Sequence, residues 1–144
     1  MRRVEPFALW VGHVGDARDL KGLLAQEVAA LVDLAANELP AHVTRELIYC
    51  RFPLVDGAGN APGLLKVAVA TLTGLIRERT PTLVYCSAGM SRTPAVVAVA
   101  LAAATDGSPA HWLTHLAKFG AADVSPALWE DVCRAGGFGP DPTL

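Results

Sequence analysis

Thr82-Leu83-Val84-Tyr85-Cys86-Ser87-Ala88-Gly89-Met90-Ser91-Arg92-Thr93 is the stretch whose reading decides this chain. Thr82 to Tyr85 is a β-branched and aromatic run that predicts a short strand. From Pro94 to Ala104 the chain is apolar for long enough to make about three helical turns. Between them lies a loop of small residues with a thiol at one end and a guanidinium at the other. A loop that ends a strand and opens a helix points its free N–H groups at one spot, and that spot binds anions.

Cys-x5-Arg alone is a weak signal, expected by chance in roughly one chain of five at this composition. Requiring Gly three residues after the Cys and Ser or Thr seven after it lowers this to on the order of one or two in a thousand. The residue types fit attack on a phosphate monoester. An ordinary thiol, with a pKa of about 8.5, is mostly protonated at neutral pH, whereas the thiolate is the nucleophile. Converging amides of Ser87, Ala88, Gly89, Met90 and Ser91, the start of the following helix and Arg92 all favour the ionised sulfur. The same donors can hold the phosphoryl oxygens, with Arg92 offering a planar fork that Lys lacks. Gly89 lets the backbone turn with its amide inward. Thr93 can donate its hydroxyl to the Cys86 sulfur and ease departure of the thiolate. The reading requires a sulfur reachable from solvent and a guanidinium facing the same bowl.

An acid for the leaving oxygen is also needed. Asp56 is the candidate, in a Gly/Pro-rich loop from Phe52 to Pro62 that follows a strand end. Asp56-Gly57 is also a common turn pair.

These features resemble the compact dual-specificity branch of the cysteine-dependent protein tyrosine phosphatases. The resemblance rests on Cys86 to Thr93, on Asp56, and on the segments Leu9 to Ala17 and Ala30 to Leu34, and covers about residues 7–135. It implies Cys86 as nucleophile, Arg92 as phosphate clamp and Asp56 as general acid, then base. One departure stands out: that family usually has His before the nucleophile, and here Tyr85 occupies the position. A Tyr hydroxyl can replace part of the hydrogen bonding but not the positive charge. A feeble enzyme, or a phosphate-binding module without turnover, is therefore the competing expectation. The loop lacks Lys, which argues weakly against polyphosphorylated inositol lipids and RNA 5′-triphosphates. A phosphoinositide or another small phosphomonoester stays open as substrate beside phosphoproteins. An arsenate reductase or sulfurtransferase is less favoured, because only Cys50 could act as a second thiol.

The remaining chain sets bounds. A length of 144 residues is one domain, 1–144, with room for a proper core. Hydrophobic residues make up 52% and charged residues 18%, which argues for a compact globule over a disordered chain. A net charge of −2 without a run of one sign argues against a general nucleic-acid or membrane surface. Three Cys, an odd number without framework spacing, argue against a disulfide-stapled secreted domain. The N-terminus lacks an apolar stretch of signal-peptide length, and Ala95 to Ala104 is far short of the ~20 residues that span a bilayer. A cytoplasmic protein without a cofactor is expected, its oligomeric state unspecified.

Ala8 to Val14, Val28 to Leu34 and Glu46 to Phe52 read as further strands. Asp16 reads as an N-cap opening a helix with Leu20, Leu23 and Leu24. Pro62 opens a helix closed by Arg77 and Arg79; Ser108 caps one running to about Lys118, and Ser125 caps one to about Arg134. Gly136 to Pro140 and the tail beyond read as a frayed end. Strands alternating with helices predict an α/β fold, a mostly parallel sheet of four to five strands with helices on both faces. His111 and His115 have zinc-ligand spacing but no third ligand, so a surface or partly packed helix is expected. His13 is expected to support a loop, Cys133 to be inert and Trp10, Trp112 and Trp129 to lie in or near the core. Cys50 is a candidate for a protective disulfide with Cys86.

Overall fold

A computed structural model describes residues 1–139. Five strands and six helices follow in the order β1 (Arg2–Arg3), β2 (Leu9–His13), α1 (Val14–Arg18), α2 (Leu20–Ala25), β3 (Ala30–Ala35), β4 (Ile48–Leu54), α3 (Pro62–Arg77), β5 (Thr82–Cys86), α4 (Arg92–Ala104), α5 (Pro109–Ala117) and α6 (Pro126–Ala135). The sheet order is β1-β2-β5-β3-β4, with β2, β5, β3 and β4 parallel and β1 antiparallel on the edge. This is the mostly parallel α/β sheet that the alternation of strands and helices predicts. The two-residue β1 was not foreseen, because so short a strand has no alternation to read.

Every residue of β3 and β5 is buried, as expected of strands covered on both faces. One face packs on α3 and α4, which α6 covers from outside, through a core that includes Val32, Leu34, Val84 and Leu101. Its centre is α4, whose residues from Arg92 to Ala102 are all buried. A helix that is apolar all round can only sit inside, and α4 touches α3, α5, α6 and β5. The other face carries Trp10, Leu31, Leu83 and Tyr85 against Ala17, Leu23 and Val28.

Two sequence expectations change. Asp16 does not open a helix: His13 is the N-cap of α1, and Asp16 is the third residue of a capping box that accepts from the His13 amide at 2.9 Å. The helix then breaks, and Asp19 caps a second one, accepting from the Gly22 amide at 3.1 Å. Of the apolar residues assigned to that helix, Leu23 is buried and Leu24 is exposed. The end of the described chain is also not frayed up to Phe138, whose amide donates to Cys133 O at 2.9 Å and whose ring packs on the core. Pro140 and the tail beyond lie outside the described residues. Ser108 caps α5 as expected, accepting from the His111 amide at 3.1 Å, whereas Ser125 stands at the N-cap of α6 without a side-chain bond.

Candidate active site

The parallel strands all end on one side, and the loops that follow them converge there, the usual place for ligands in an open α/β sheet. Cys86 is the last residue of β5, paired in register with His13 at the end of β2. Cys86 is only 2% exposed and belongs to the apolar core cluster, at the point where β5 ends and the loop begins. Gly89 turns the loop at φ +74°, and a Cβ there would meet Gly12 O at 2.6 Å. Only glycine satisfies both conditions. The rim residues Ala88 and Met90 are exposed, and Ser91 closes the loop as the buried N-cap of α4. The Ser91 side chain does not cap the helix, so it leaves the first-turn amides for another acceptor.

Arg92 is 7% exposed, and its hydrogen bonds decide its orientation. Nη1 donates to Leu54 O and to Asn37 Oδ1, both at 2.9 Å, which uses both of its hydrogens. Nη2 donates to Ser87 Oγ at 3.3 Å. Of the five guanidinium hydrogens, the one on Nε and the second on Nη2 remain. Both remain as donors for the oxygens of an oxyanion. Ser87 Oγ lies 3.0 Å from Asn37 Oδ1 and 3.1 Å from Glu38 Oε2, and donates its single hydrogen to one of them at a time.

Asp56 meets the loop. Its Oδ1 accepts from Ser91 Oγ at 2.6 Å across 35 residues of sequence, and Ser91 Oγ in turn accepts from the Ser125 amide at 3.1 Å. Met90 O accepts from the Asp123 amide at 2.7 Å, so the segment before α6 pins the same loop. Asn60 shapes the Asp56 turn: its Oδ1 accepts from the Val55 amide and its Nδ2 donates to Val55 O, both at 2.9 Å. Thr93 Oγ1 is buried without a hydrogen-bond partner. The expected bond to Cys86 is therefore not made, and the hydroxyl is left as an unused donor beside the site.

Tyr85 departs further from expectation. Successive strand residues point to opposite faces, and Tyr85 packs with Trp10, Leu31 and Leu83 on the face away from Cys86. Its hydroxyl makes no hydrogen bond to the loop. Burial, with Asp33 and Tyr49 close by, pushes its phenol far above the usual range. Asp33 itself is 1% exposed, accepts from the Ala35 amide at 2.9 Å and from Tyr49 Oη at 2.6 Å, and has Arg51 Nε at 3.7 Å. Tyr49 Oη accepts from the Ala41 amide at 3.1 Å and Arg51 donates to Glu38 O at 2.8 Å. This buried network holds the segment after β3, and that segment delivers Asn37 and Glu38 to the loop.

Cys50 and Cys86 cannot be bridged. Val32 pairs with both Cys50 and Val84, so Cys50 lies level with Val84 across an intervening strand, about 10 Å away. Cys86 is two residues further along, and a disulfide requires Cα atoms within about 7 Å. His13 supports its loop as expected, its Nδ1 accepting from the Gly15 amide at 3.0 Å. His111 and His115 flank Trp112 edge-on, and no group of three potential metal ligands occurs among the described residues. Nor is any described helix long and apolar enough to cross a membrane. A cavity of about 360 Å³ lies against the outer wall of the loop, between Gly12, Ala88 to Met90 and Phe119 to Ala122.

Asn37, Glu38 and Asn60 were missed in the sequence. Asn60 had a signal, an amide side chain in a glycine-rich turn. Asn37 and Glu38 had none, because nothing local ties them to a loop 50 residues later.

This architecture is the fold of the dual-specificity branch of the cysteine-dependent tyrosine phosphatases. Among solved structures, a mouse dual specificity phosphatase complexed with zinc tungstate is 22% identical, with a TM-score of 0.81 over 94% of this chain and 85% of that one. Human DUSP28 is 21% identical, with a TM-score of 0.78 over 90% of this chain and 92% of its own. The human tyrosine phosphatase-like serine/threonine/tyrosine-interacting protein is 14% identical, with a TM-score of 0.76 over 90% and 91%. No protein-family model and no curated protein sequence matches the chain.

Proposed function

We propose that this protein hydrolyses phosphate monoesters through a phosphocysteine formed on Cys86, with phosphoproteins as the substrate class. What supports the reading is the bond from Ser91, in the loop between Cys86 and Arg92, to Asp56, 35 residues away, at 2.6 Å, together with the Arg92 donors left unused by the protein. In the first step the thiolate attacks phosphorus, the S–P bond forms, the P–O bond breaks, and Asp56 gives its proton to the leaving oxygen. In the second, Asp56 takes a proton from water, whose oxygen attacks phosphorus and returns the thiolate with inorganic phosphate. Arg92 and the loop amides hold the three equatorial oxygens through both steps. The amides of α4's first turn and the unpaired Thr93 hydroxyl stand ready for charge that develops there. The exposed rim at Ala88 and Met90 forms no deep collar, which suits phosphoserine and phosphothreonine as well as phosphotyrosine.

Hydrolysis of p-nitrophenyl phosphate, with and without EDTA, tests this. Turnover is expected to survive the chelator, to vanish in Cys86→Ser, and to fall by about a hundredfold or more in Asp56→Ala. Turnover that survives Cys86→Ser, or is lost to EDTA, overturns the proposal. Tyr85 favours one other reading, an oxyanion-binding module with little turnover, because no imidazolium stands behind the sulfur. In that case the wild-type protein leaves p-nitrophenyl phosphate intact, while Cys86→Ser and wild type bind tungstate equally.

A further inference from the structure

At the opposite end of the sheet, where β2 and β5 begin, a second cleft of about 510 Å³ opens between the turn before β2 and the C-terminal ends of α3 and α4. Three guanidinium-bearing residues line it, Arg3, Arg77 and Arg79, with Phe7 and Ile76 forming apolar walls and no carboxylate among the lining residues. The whole protein carries a net charge of −2, so this concentration of positive charge runs against the molecule's average. Two of the three side chains are partly occupied. Arg77 donates to Ala103 O at 2.8 Å, and Arg3 donates to Phe7 O at 3.0 Å. Glu5 approaches Arg3 at 3.7 Å, but both are exposed, and such a pair adds little.

Arg79 is different. It follows the C-cap of α3 with φ 57°, donating its amide to Ile76 O at 3.1 Å while Thr80 donates to Leu75 O at 3.1 Å. That is a Schellman turn, whose left-handed position is ordinarily glycine. A side chain there strains the backbone, and the Arg79 guanidinium makes no hydrogen bond or ion pair among the described residues that would offset the strain. Glu27 takes the same left-handed position after α2 at φ 58°, so what sets Arg79 apart is not the turn but an unpaired guanidinium in a cleft lined by two other arginines.

We propose that this cleft docks an acidic peptide segment of a partner protein, its carboxylates on Arg3 and Arg79 and an apolar side chain between Phe7 and Ile76. The concave shape suits a chain segment and not the plane of a bilayer. The site is separate from the Cys86 loop, and the inference stands whether or not the protein turns over phosphate.

Fluorescence polarisation with a labelled pentapeptide, four acidic residues around a leucine, tests it on the full chain. Binding is expected to be saturable and salt-sensitive, unchanged by tungstate and unchanged in Cys86→Ser. Arg79→Gly should weaken it by about fivefold, and Arg3→Gln together with Arg79→Gly further still. Arg79→Gly should also raise Tm by about 3 °C, because glycine relieves the left-handed turn. That rise separates loss of binding from loss of fold. Equal binding by wild type and both variants overturns the proposal, as does displacement by tungstate, which assigns the peptide to the Cys86 loop. Association with phosphatidylserine vesicles in the absence of peptide binding overturns it as well.

Discussion

Tyr85 and Cys86 are neighbours on one strand, yet they face two different interiors. Cys86 looks toward the face built from α3, α4 and α6, where the packing is almost wholly apolar. Tyr85 looks toward the face where Asp33, Tyr49 and Arg51 form a polar network around the end of β3. The difference separates two tasks. The apolar side supplies the buried strand end and the helix start between which the loop is held. The polar side sets the position of Asn37 and Glu38, and through Asn37 the rotation of the Arg92 fork.

The division can be broken by paired substitutions. Leu101→Ala removes a fully buried side chain from α4 and should cost about 2–5 kcal/mol of stability in denaturant melts, leaving kcat/KM of the remaining folded protein unchanged. Asp33→Ala leaves Tyr49 Oη and the Ala35 amide without an acceptor, at about 1–3 kcal/mol each. Unlike Leu101→Ala it should also lower kcat/KM, because the Asn37 segment loosens. If both variants change only stability, the two faces do not divide the work. Asn37→Ala tests the link directly: losing one hydrogen bond to the guanidinium, worth about 1.5 kcal/mol, should lower kcat/KM about tenfold with no comparable fall in Tm.

Smaller effects sharpen the same contrast. Tyr85→Phe should leave turnover unchanged, because the hydroxyl it removes lies on the face away from Cys86 and makes no hydrogen bond to the loop. A clear fall in turnover would show that the hydroxyl acts on the loop after all. At Asp16, burial raises the carboxyl's pKa, but the His13 amide and the Met1 ammonium outweigh it and bring the group below its usual value of 3.8. A carboxylate lowered in this way stabilises the fold above its unfolded value and loses that contribution as pH falls through its folded one. Asp16→Asn should therefore lower Tm slightly at pH 7 and not at all near pH 2.

Much of this was readable beforehand. The strand before Cys86, the loop, the apolar helix after it and the helix that Pro62 opens each carry a local signal, in β-branching, small residues, unbroken hydrophobicity or 3.6-residue spacing. Asp56 was readable as an acid in a turn, though not as a partner of Ser91. The break between α1 and α2 was not, because Asp16 and Asp19 are equally good capping residues and only the approach of His13 decides between them. The Cys50–Cys86 bridge failed for a similar reason, since spacing along the chain says nothing of strand register.

By itself the amino-acid order determined which groups this loop can hold, because a thiol, a guanidinium and a turn glycine lie within seven residues and one local conformation brings them together. Only the tertiary structure decided how that chemistry is aimed. The acceptors that rotate Arg92, the serine that holds Asp56 and the face on which Tyr85 lands are set by strand order and loop packing. Contacts between residues 35 to 55 positions apart leave no trace in local pattern, since they exist only once the sheet has formed.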